Sequence, residues 1–156
     1  MESNKGKSYM MKPSFIFSLV LSAFVTYFIS KHFTPTTHDQ IISISGPIGA
    51  FSAMLFGFVI ASISIFSGAS NNSFIRKMKA NNMLSPLMQD MNNTGIFLIL
   101  SCIFSIISMF TPFKIFILVN VSYDYFLLLA SLFFIILSMI LFFSIWRKIR
   151  LIIEHM

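Results

Sequence analysis

Four long stretches of the chain contain no charged side chain. They lie between these pairs of charged residues: Lys12 and Lys31, Asp39 and Arg76, Asp90 and Lys114, and Asp124 and Arg147. The shortest, residues 13–30, would span about 27 Å as an α-helix, close to the thickness of a bilayer's hydrocarbon core. Each stretch is continuously apolar rather than alternating, which favours helices over a β-barrel. The sequence therefore predicts an all-α membrane protein in which four transmembrane helices form a bundle.

The predicted transmembrane spans, all within one membrane domain of residues 1–156, are residues 13–31, 47–68, 94–112 and 124–146. The second span has two candidate starts on the sequence alone. Residues 37–40 match a capping box that would begin a helix near His38, whereas Gly46-Pro47 would either kink that helix or begin it. Residues 113–121 are too short to cross a membrane, so we expect an interfacial or returning segment on the outer side.

The placement of the basic residues explains the formal net charge of +6. Nine of the 11 Lys and Arg residues flank the first span's start, the central connection and the last span's end: Lys5, Lys7, Lys12, Arg76, Lys77, Lys79, Arg147, Lys148 and Arg150. The positive-inside rule then predicts that both termini and the central connection are cytoplasmic. These side chains would face anionic lipid headgroups, so the predicted partner is the lipid bilayer and not nucleic acid. An uncleaved first span and the Lys/Asn/Ile richness indicate a bacterial inner membrane.

Two ladders of small residues recur at every fourth position. In span one they are Ser14, Ser18, Ser22, Thr26 and Ser30, and in span two they are Gly49, Ala53, Gly57 and Ala61. Small residues at this interval let helix backbones approach closely. One interpretation is that the ladders pack spans one and two into a helical hairpin, or pack protomers into a homo-oligomer. The alternative is that the hydroxyl ladder of span one faces water in an oligomeric pore.

A second polar seam is predicted on span three. Its hydroxyl residues follow a heptad-like spacing, and two serines of span four could face them: Thr94, Ser101, Ser105 and Ser108, opposite Ser131 and Ser138. Hydroxyl contacts between membrane helices contribute only about 0.6 kcal/mol each on average. The seam is therefore expected to guide packing rather than chemistry.

The spans lack the side chains on which an enzyme or a proton-coupled pump depends. No ionisable group is expected at membrane depth, and serines and Cys102 without a nearby base are not activated nucleophiles. Asp124 is interpreted as a charge in the first turn of span four. His32, His38 and Asp39 are too sparse for a metal site and are expected in a solvated loop. We therefore expect a non-enzymatic protein that uses no cofactor and no metal.

The central connection, residues 69–93, combines basic, apolar and amide side chains. Its segment from Phe74 to Lys79 predicts a short amphipathic helix at the membrane interface, and Ser85-Pro86 predicts a second short helix leading to span three. Flexible methionines often form adaptable binding surfaces. A cytosolic protein or lipid headgroups could therefore dock on these side chains: Phe74, Arg76, Lys77, Met78, Lys79, Met83 and Met88.

The plan of the chain resembles that of RexB, the small phage-encoded exclusion protein thought to form a depolarising channel. The resemblance lies in four spans with both termini inside, and in an outer loop from His32 to Asp39. A Gly/Ala-rich second span then ends in Phe66-Ser67-Gly68 and is followed by residues 74–79. The plan is also similar to that of the membrane component of the Kiwa anti-phage system, thought to sit beside a cytosolic effector.

Two functions are consistent with these observations. The first is a membrane effector that forms an ion-conducting homo-oligomer in phage exclusion or anti-phage defence, as the resemblance to RexB implies. The second is a membrane anchor or sensor subunit that docks a cytosolic effector protein through the central connection.

Overall fold

A computed structural model of the chain describes residues 13–33, 35–69, 73–111, 115–116 and 121–154. The elements within these ranges are α1 (Pro13–His32), α2 (His38–Gly68), α3 (Ser73–Ala80), α4 (Leu84–Phe110), β1 (Ile115–Phe116), β2 (Val121–Ser122) and α5 (Tyr123–Glu154). Four of the described helices, α1, α2, α4 and α5, are long and apolar enough to cross a membrane. The predicted class, an all-α membrane protein with four long helices, is confirmed.

Three helices, α2, α4 and α5, form the centre of the bundle, and α1 packs on the outside of α5. The hydroxyl of Tyr125, at the start of α5, donates a hydrogen bond to the carbonyl of Phe33 and lies 3.3 Å from that of Ser30. The Phe15 ring stacks on that of Phe97 at 6.2 Å between centroids. These contacts hold α1 against α5 and α4 rather than against α2. The interpretation in which the ladders pack spans one and two into a helical hairpin is therefore not supported.

The two ends of the bundle differ in their side chains. One end, where α1 begins, α3 lies and α5 ends, carries Arg76, Lys77, Lys79, Arg147, Lys148 and Arg150, and we call it the basic end. The opposite end carries the starts of α2 and α5 and the short β-hairpin, and we call it the hairpin end.

Helix α2 begins at His38, as the capping-box interpretation predicts, and Pro47 lies inside it. The side-chain oxygen of Gln40 accepts a hydrogen bond of 3.0 Å from the backbone N–H of Thr36, while Thr37 makes no side-chain cap bond. The cap is therefore half formed and shifted by one residue. The predicted start at residue 47 lies nine residues too far along the chain.

Helix α4 begins at Leu84, ten residues before the predicted start of span three, so Ser85 and Pro86 lie in its first turn and not in a separate short helix. The added segment is helical because Leu87 and Met91, one turn apart, are buried in a core cluster with Met78 and Ile145. A buried apolar face of this kind stabilises a helix beyond its membrane-spanning part. Helix α5 likewise extends past residue 146, to Glu154.

The connection between α4 and α5 turns back on itself. Strands β1 and β2 pair in antiparallel register, with Ile115 opposite Ser122 and Phe116 opposite Val121. The returning segment is confirmed for these residues, while residues 112–114 and 117–120 lie outside the described ranges.

Candidate functional site

Six serine side chains fill the interior between α2, α4 and α5. All six are 0% exposed, and we call them the hydroxyl file: Ser45, Ser52, Ser101, Ser105, Ser108 and Ser131. The three on α4 are spaced by four and three residues, which places them on one helix face, and the two on α2 are seven apart on another. Small polar side chains thus occupy positions that bulky apolar residues fill in most helical cores.

The half of the file nearer the hairpin end joins all three helices. Ser108 Oγ on α4 donates to the backbone carbonyl of Asp124 on α5 at 2.7 Å. Ser45 Oγ on α2 donates to Ser108 Oγ at 3.3 Å, and Ser105 Oγ donates to the carbonyl of Ser45. Each hydroxyl proton therefore bridges to a neighbouring helix rather than to its own.

The other half of the file is a reciprocal exchange between α4 and α5. Ser101 Oγ donates to the carbonyl of Ser131 at 2.9 Å, and Ser131 Oγ donates to the carbonyl of Ser101 at 2.8 Å. Ser52 Oγ on α2 lies 3.0 Å from Ser101 Oγ. Since Ser101 has only one proton and donates it to Ser131, Ser52 must be the donor in this contact. Ser131 contacts the hydroxyl seam of span three, as predicted. Ser138 instead donates to the carbonyl of Phe134 in its own helix.

An ion pair with a buried carboxylate lies at the hairpin end of the file. His38 Nδ1 at the start of α2 is 2.8 Å from Asp124 Oδ2 at the start of α5. Asp124 is 0% exposed, and its second oxygen accepts the backbone N–H of Tyr125 at 2.9 Å. Asp124 does lie in the first turn of α5, as predicted. The expectation of a solvated loop histidine is wrong, because His38 lies within α2 and contacts Asp124.

A second ion pair lies at the basic end. The Lys148 ammonium on α5 contacts a carboxylate oxygen of Asp90 on α4, and both side chains are partly exposed. The hydroxyl file is thus bounded by a buried ion pair at one end and a partly exposed one at the other. Within the described ranges, no group of three or more His, Cys, Asp or Glu side chains is arranged to hold a metal.

The hydroxyl ladder of span one does not lie on an open face. Ser18 and Ser22 are buried, at 5% and 0% exposure, although no second copy of the chain is present. Ser22 and Ser30 donate to carbonyls of their own helix, and the buried Thr26 hydroxyl has no hydrogen-bond partner among the described residues. Ser18 and Ser22 therefore pack inside the protomer, which is opposed to the pore-lining interpretation. The Ser14 side chain lies outside the described part of the chain.

The small-residue ladder of span two is split between two faces. Gly49 is buried against Ser105 of α4, and a Cβ atom built on it would lie 3.3 Å from Ser105 Oγ. Ala53, Gly57 and Ala61 are exposed on α2, progressively farther around the helix from Gly49. Only Gly49 therefore packs helices within the protomer. Packing between protomers by the other three remains a prediction.

The predicted docking residues of the central connection are also divided. The amphipathic helix forms as α3, but Met78 is 0% exposed and belongs to the core cluster, so it is not part of a docking surface. Arg76, Lys77, Lys79 and Met83 are exposed, and Met88 is half-buried. The structure does not describe the Phe74 side chain.

No family model matches this chain, and neither the curated proteins nor the solved structures contain a match to it. The resemblance to RexB therefore remains a prediction from the sequence. The candidate site is defined by geometry: a hydroxyl file inside the bundle with an ion pair at each end.

Proposed function

We propose that this protein is a non-enzymatic membrane effector that conducts ions through the interior of the bundle, between α2, α4 and α5. The observation that carries the proposal is the hydroxyl file with an ion pair at each end. If α2, α4 and α5 moved apart from one another, the separated faces would present hydroxyls and carbonyls to water. Such a lining has no charged ring, so it would discriminate poorly among ions.

The arrangement described here is the closed state of this path. Every hydroxyl of the file is engaged in an interhelical hydrogen bond. Such bonds contribute about 0.6 kcal/mol each on average in membranes, so the whole set holds the helices together by only a few kcal/mol. A free-energy gap of that size suits a two-state element that a trigger can shift.

Weakening the file is expected to raise the resting ion flux across liposomes that contain the purified protein. The variant combines Ser101→Ala with Ser131→Ala, which removes both exchanged bonds and the acceptor of Ser52. A loss of about 1–2 kcal/mol would shift the closed-to-open ratio about tenfold. The matched control combines Ser62→Ala with Ser64→Ala, because these two hydroxyls donate to carbonyls of their own helix.

Unchanged flux in the Ser101/Ser131 variant, or an equal rise in the control, would contradict this path. The triple variant Ser18→Ala, Ser22→Ala and Thr26→Ala is expected to leave flux unchanged. Loss of flux in the triple variant alone would move the conduction path to α1.

The resemblance to RexB supports phage exclusion or anti-phage defence as the biological setting. The clustering of basic residues supports an orientation with the basic end and both termini in the cytoplasm. The Lys/Asn/Ile richness of the chain supports a bacterial inner membrane. A homo-oligomer is part of this proposal, with the exposed small residues of α2 as the contact between protomers.

The exposed basic face of α3 supports a second candidate function, an anchor subunit for a cytosolic protein. Ile75 and Met78 are buried and fix α3 to the bundle, which leaves Arg76, Lys77 and Lys79 exposed at the basic end. Charge reversal at these three positions is expected to release a protein that co-purifies from native membranes. Capture of no protein by the unaltered chain would rule this function out.

A further inference from the structure

Two neighbouring cavities lie between α2 and α5 toward the basic end, and residues of α4 complete their walls. One has a volume of about 180 Å³ and the other of about 220 Å³, and Val59 and Phe142 line both. Nearer the hairpin end α2 and α5 are packed together, because Ile41 on α2 belongs to one core cluster with Tyr125 and Leu128 on α5. The cavities therefore form where this packing between the two helices ends.

The inner walls of the cavities are buried, and part of their rim is exposed. Val59, Leu98 and Met91 are buried residues of α2 and α4. Phe58 on α2 and Trp146 on α5, in contrast, are 56% and 61% exposed. The cavities thus begin at the outer surface of the bundle, which is the surface that lipid surrounds in a membrane protein, and extend inward to α4.

The walls do not suit a charged or strongly polar ligand. No charged side chain is among the described residues that line either cavity. Two buried hydroxyls, Thr94 and Ser138, lie on the walls, and each donates its one proton to a carbonyl of its own helix. Apolar cavities of about 150 Å³ stay free of water and bind small hydrocarbons. Both cavities therefore have the size and the chemistry of a hydrocarbon site.

We propose that the two cavities together bind one acyl chain of a membrane phospholipid. The chain enters beside Trp146 and extends past Phe142 to Ser138. A tryptophan at the end of a span is typical of the membrane–water interface, so the headgroup stays at that depth. The eight residues from 138 to 146 cover about 12 Å of helix, and the hydrocarbon of one leaflet is about 15 Å deep. The site therefore accommodates most of one chain.

A lipid chain suits these cavities better than a helix of a second copy does. A helix with its side chains is about 10 Å wide. The rings of Phe58 on α2 and Phe142 on α5 contact each other edge to face, with 5.9 Å between their centroids, and would bar its entry. An acyl chain is thin and flexible, and the bilayer supplies it directly at the rim. The inference depends on neither proposed function, so conduction can fail while chain binding holds.

Fluorescence of Trp146, the single tryptophan of the chain, tests the proposal, because this residue lines the entrance. The probe is a phosphatidylcholine brominated in the upper half of one acyl chain. It is added to the full chain in a steroid detergent, which has no straight chain to compete. Bromine quenches tryptophan on contact, so we expect quenching that saturates at about one lipid per protomer. Ser138→Leu fills the inner cavity and is expected to weaken binding at least fivefold.

The matched control is Ser144→Leu, the same change on the part of α5 that lines the cavities facing α1. Saturable quenching that is weakened by Ser138→Leu and kept by Ser144→Leu supports the site. Quenching that rises with added lipid and never saturates overturns it, as does an equal loss in both variants. A loss in Ser144→Leu alone would place the chain between α1 and α5 instead.

A second variant and a second measurement cover the remaining outcomes. If Ser138→Leu fails to fold, Leu55→Phe fills the same cavity from the half-buried position on α2 and is expected to weaken binding in the same way. Size-exclusion chromatography of the variants tests the other occupant. Dissociation of an oligomer by Ser138→Leu, with unchanged quenching by the lipid, would mean that side chains of a second copy fill the cavities, and would overturn the proposal.

Discussion

Replacing His38 alone by Leu is expected to destabilise the protein more than replacing both His38 and Asp124 by Leu. The single change leaves the Asp124 carboxylate wholly buried, with the backbone N–H of Tyr125 as its remaining donor among the described contacts. Removing one partner of a buried ion pair typically costs about 3–5 kcal/mol, because the other charge remains uncompensated. Replacing both partners by apolar residues removes the burial cost together with the attraction, so it is often neutral.

Denaturant unfolding in detergent micelles measures the ranking. We expect His38→Leu to be the least stable variant and Asp124→Leu to be intermediate, because the partly exposed His38 side chain can still reach water when its partner is gone, whereas Asp124 cannot. The double variant should lie closest to the unaltered chain. Asp39→Asn, an exposed carboxylate in the same turn of α2, is the matched control and should change little. A double variant as unstable as His38→Leu would mean that the two side chains do not compensate each other.

This ion pair was not predictable from the sequence, although both of its residues were considered. His38 and Asp124 are 86 positions apart, and each stands at the polar edge of an apolar run, where solvated side chains are usual. The available signal was that both residues begin spans that start at the same face of the membrane. The positive-inside rule gives spans two and four this same direction, but it does not identify which helices are neighbours inside the bundle.

The helices themselves were predictable because a charge-free run of sufficient length is a local property of the chain. The polar face of α4 was predictable too, since its hydroxyls repeat at helical spacing and could pair with Ser131. The start of α4 at Leu84 was not predictable, because the segment is rich in polar residues and Leu87 and Met91 alone do not indicate a buried face. Their burial depends on Met78, which belongs to a different helix.

The inward face of α2 was the hardest feature to predict. Gly49 lies where two faces of α2 meet. One is the buried face with Ser45 and Ser52, and the other is the exposed ladder of small residues. In water, burial of apolar side chains would decide between them. Lipid is as apolar as the helix core, so small residues are equally suited to an inner contact and to a contact between protomers. The choice is made by the hydroxyl partners on α4.

Replacing Gly49 by Leu is expected to disrupt the packing of α2 against α4. A Cβ atom there would already lie 3.3 Å from Ser105 Oγ and 3.4 Å from Ser105 Cβ, so three further carbons must push α2 and α4 apart. Overpacking of this kind typically costs about 1–3 kcal/mol. The separation would also lengthen the hydrogen bonds of Ser45 and Ser52 to α4. Unfolding in detergent should show the loss, and Gly49→Ala should show a smaller one.

Gly57→Leu is the matched control, because a Cβ built at Gly57 would meet no side chain or neighbouring helix of the described residues within 4 Å. Its unfolding midpoint should therefore match that of the unaltered chain, or exceed it, since Leu favours a helix more than Gly does. Size-exclusion chromatography of the same variant tests the outer face of α2. If Ala53, Gly57 and Ala61 pack one protomer against another, the added side chain should dissociate the oligomer while leaving the fold intact. An unchanged oligomer would assign the contact between protomers to another helix, since only a face buried in the assembly would be obstructed by this substitution.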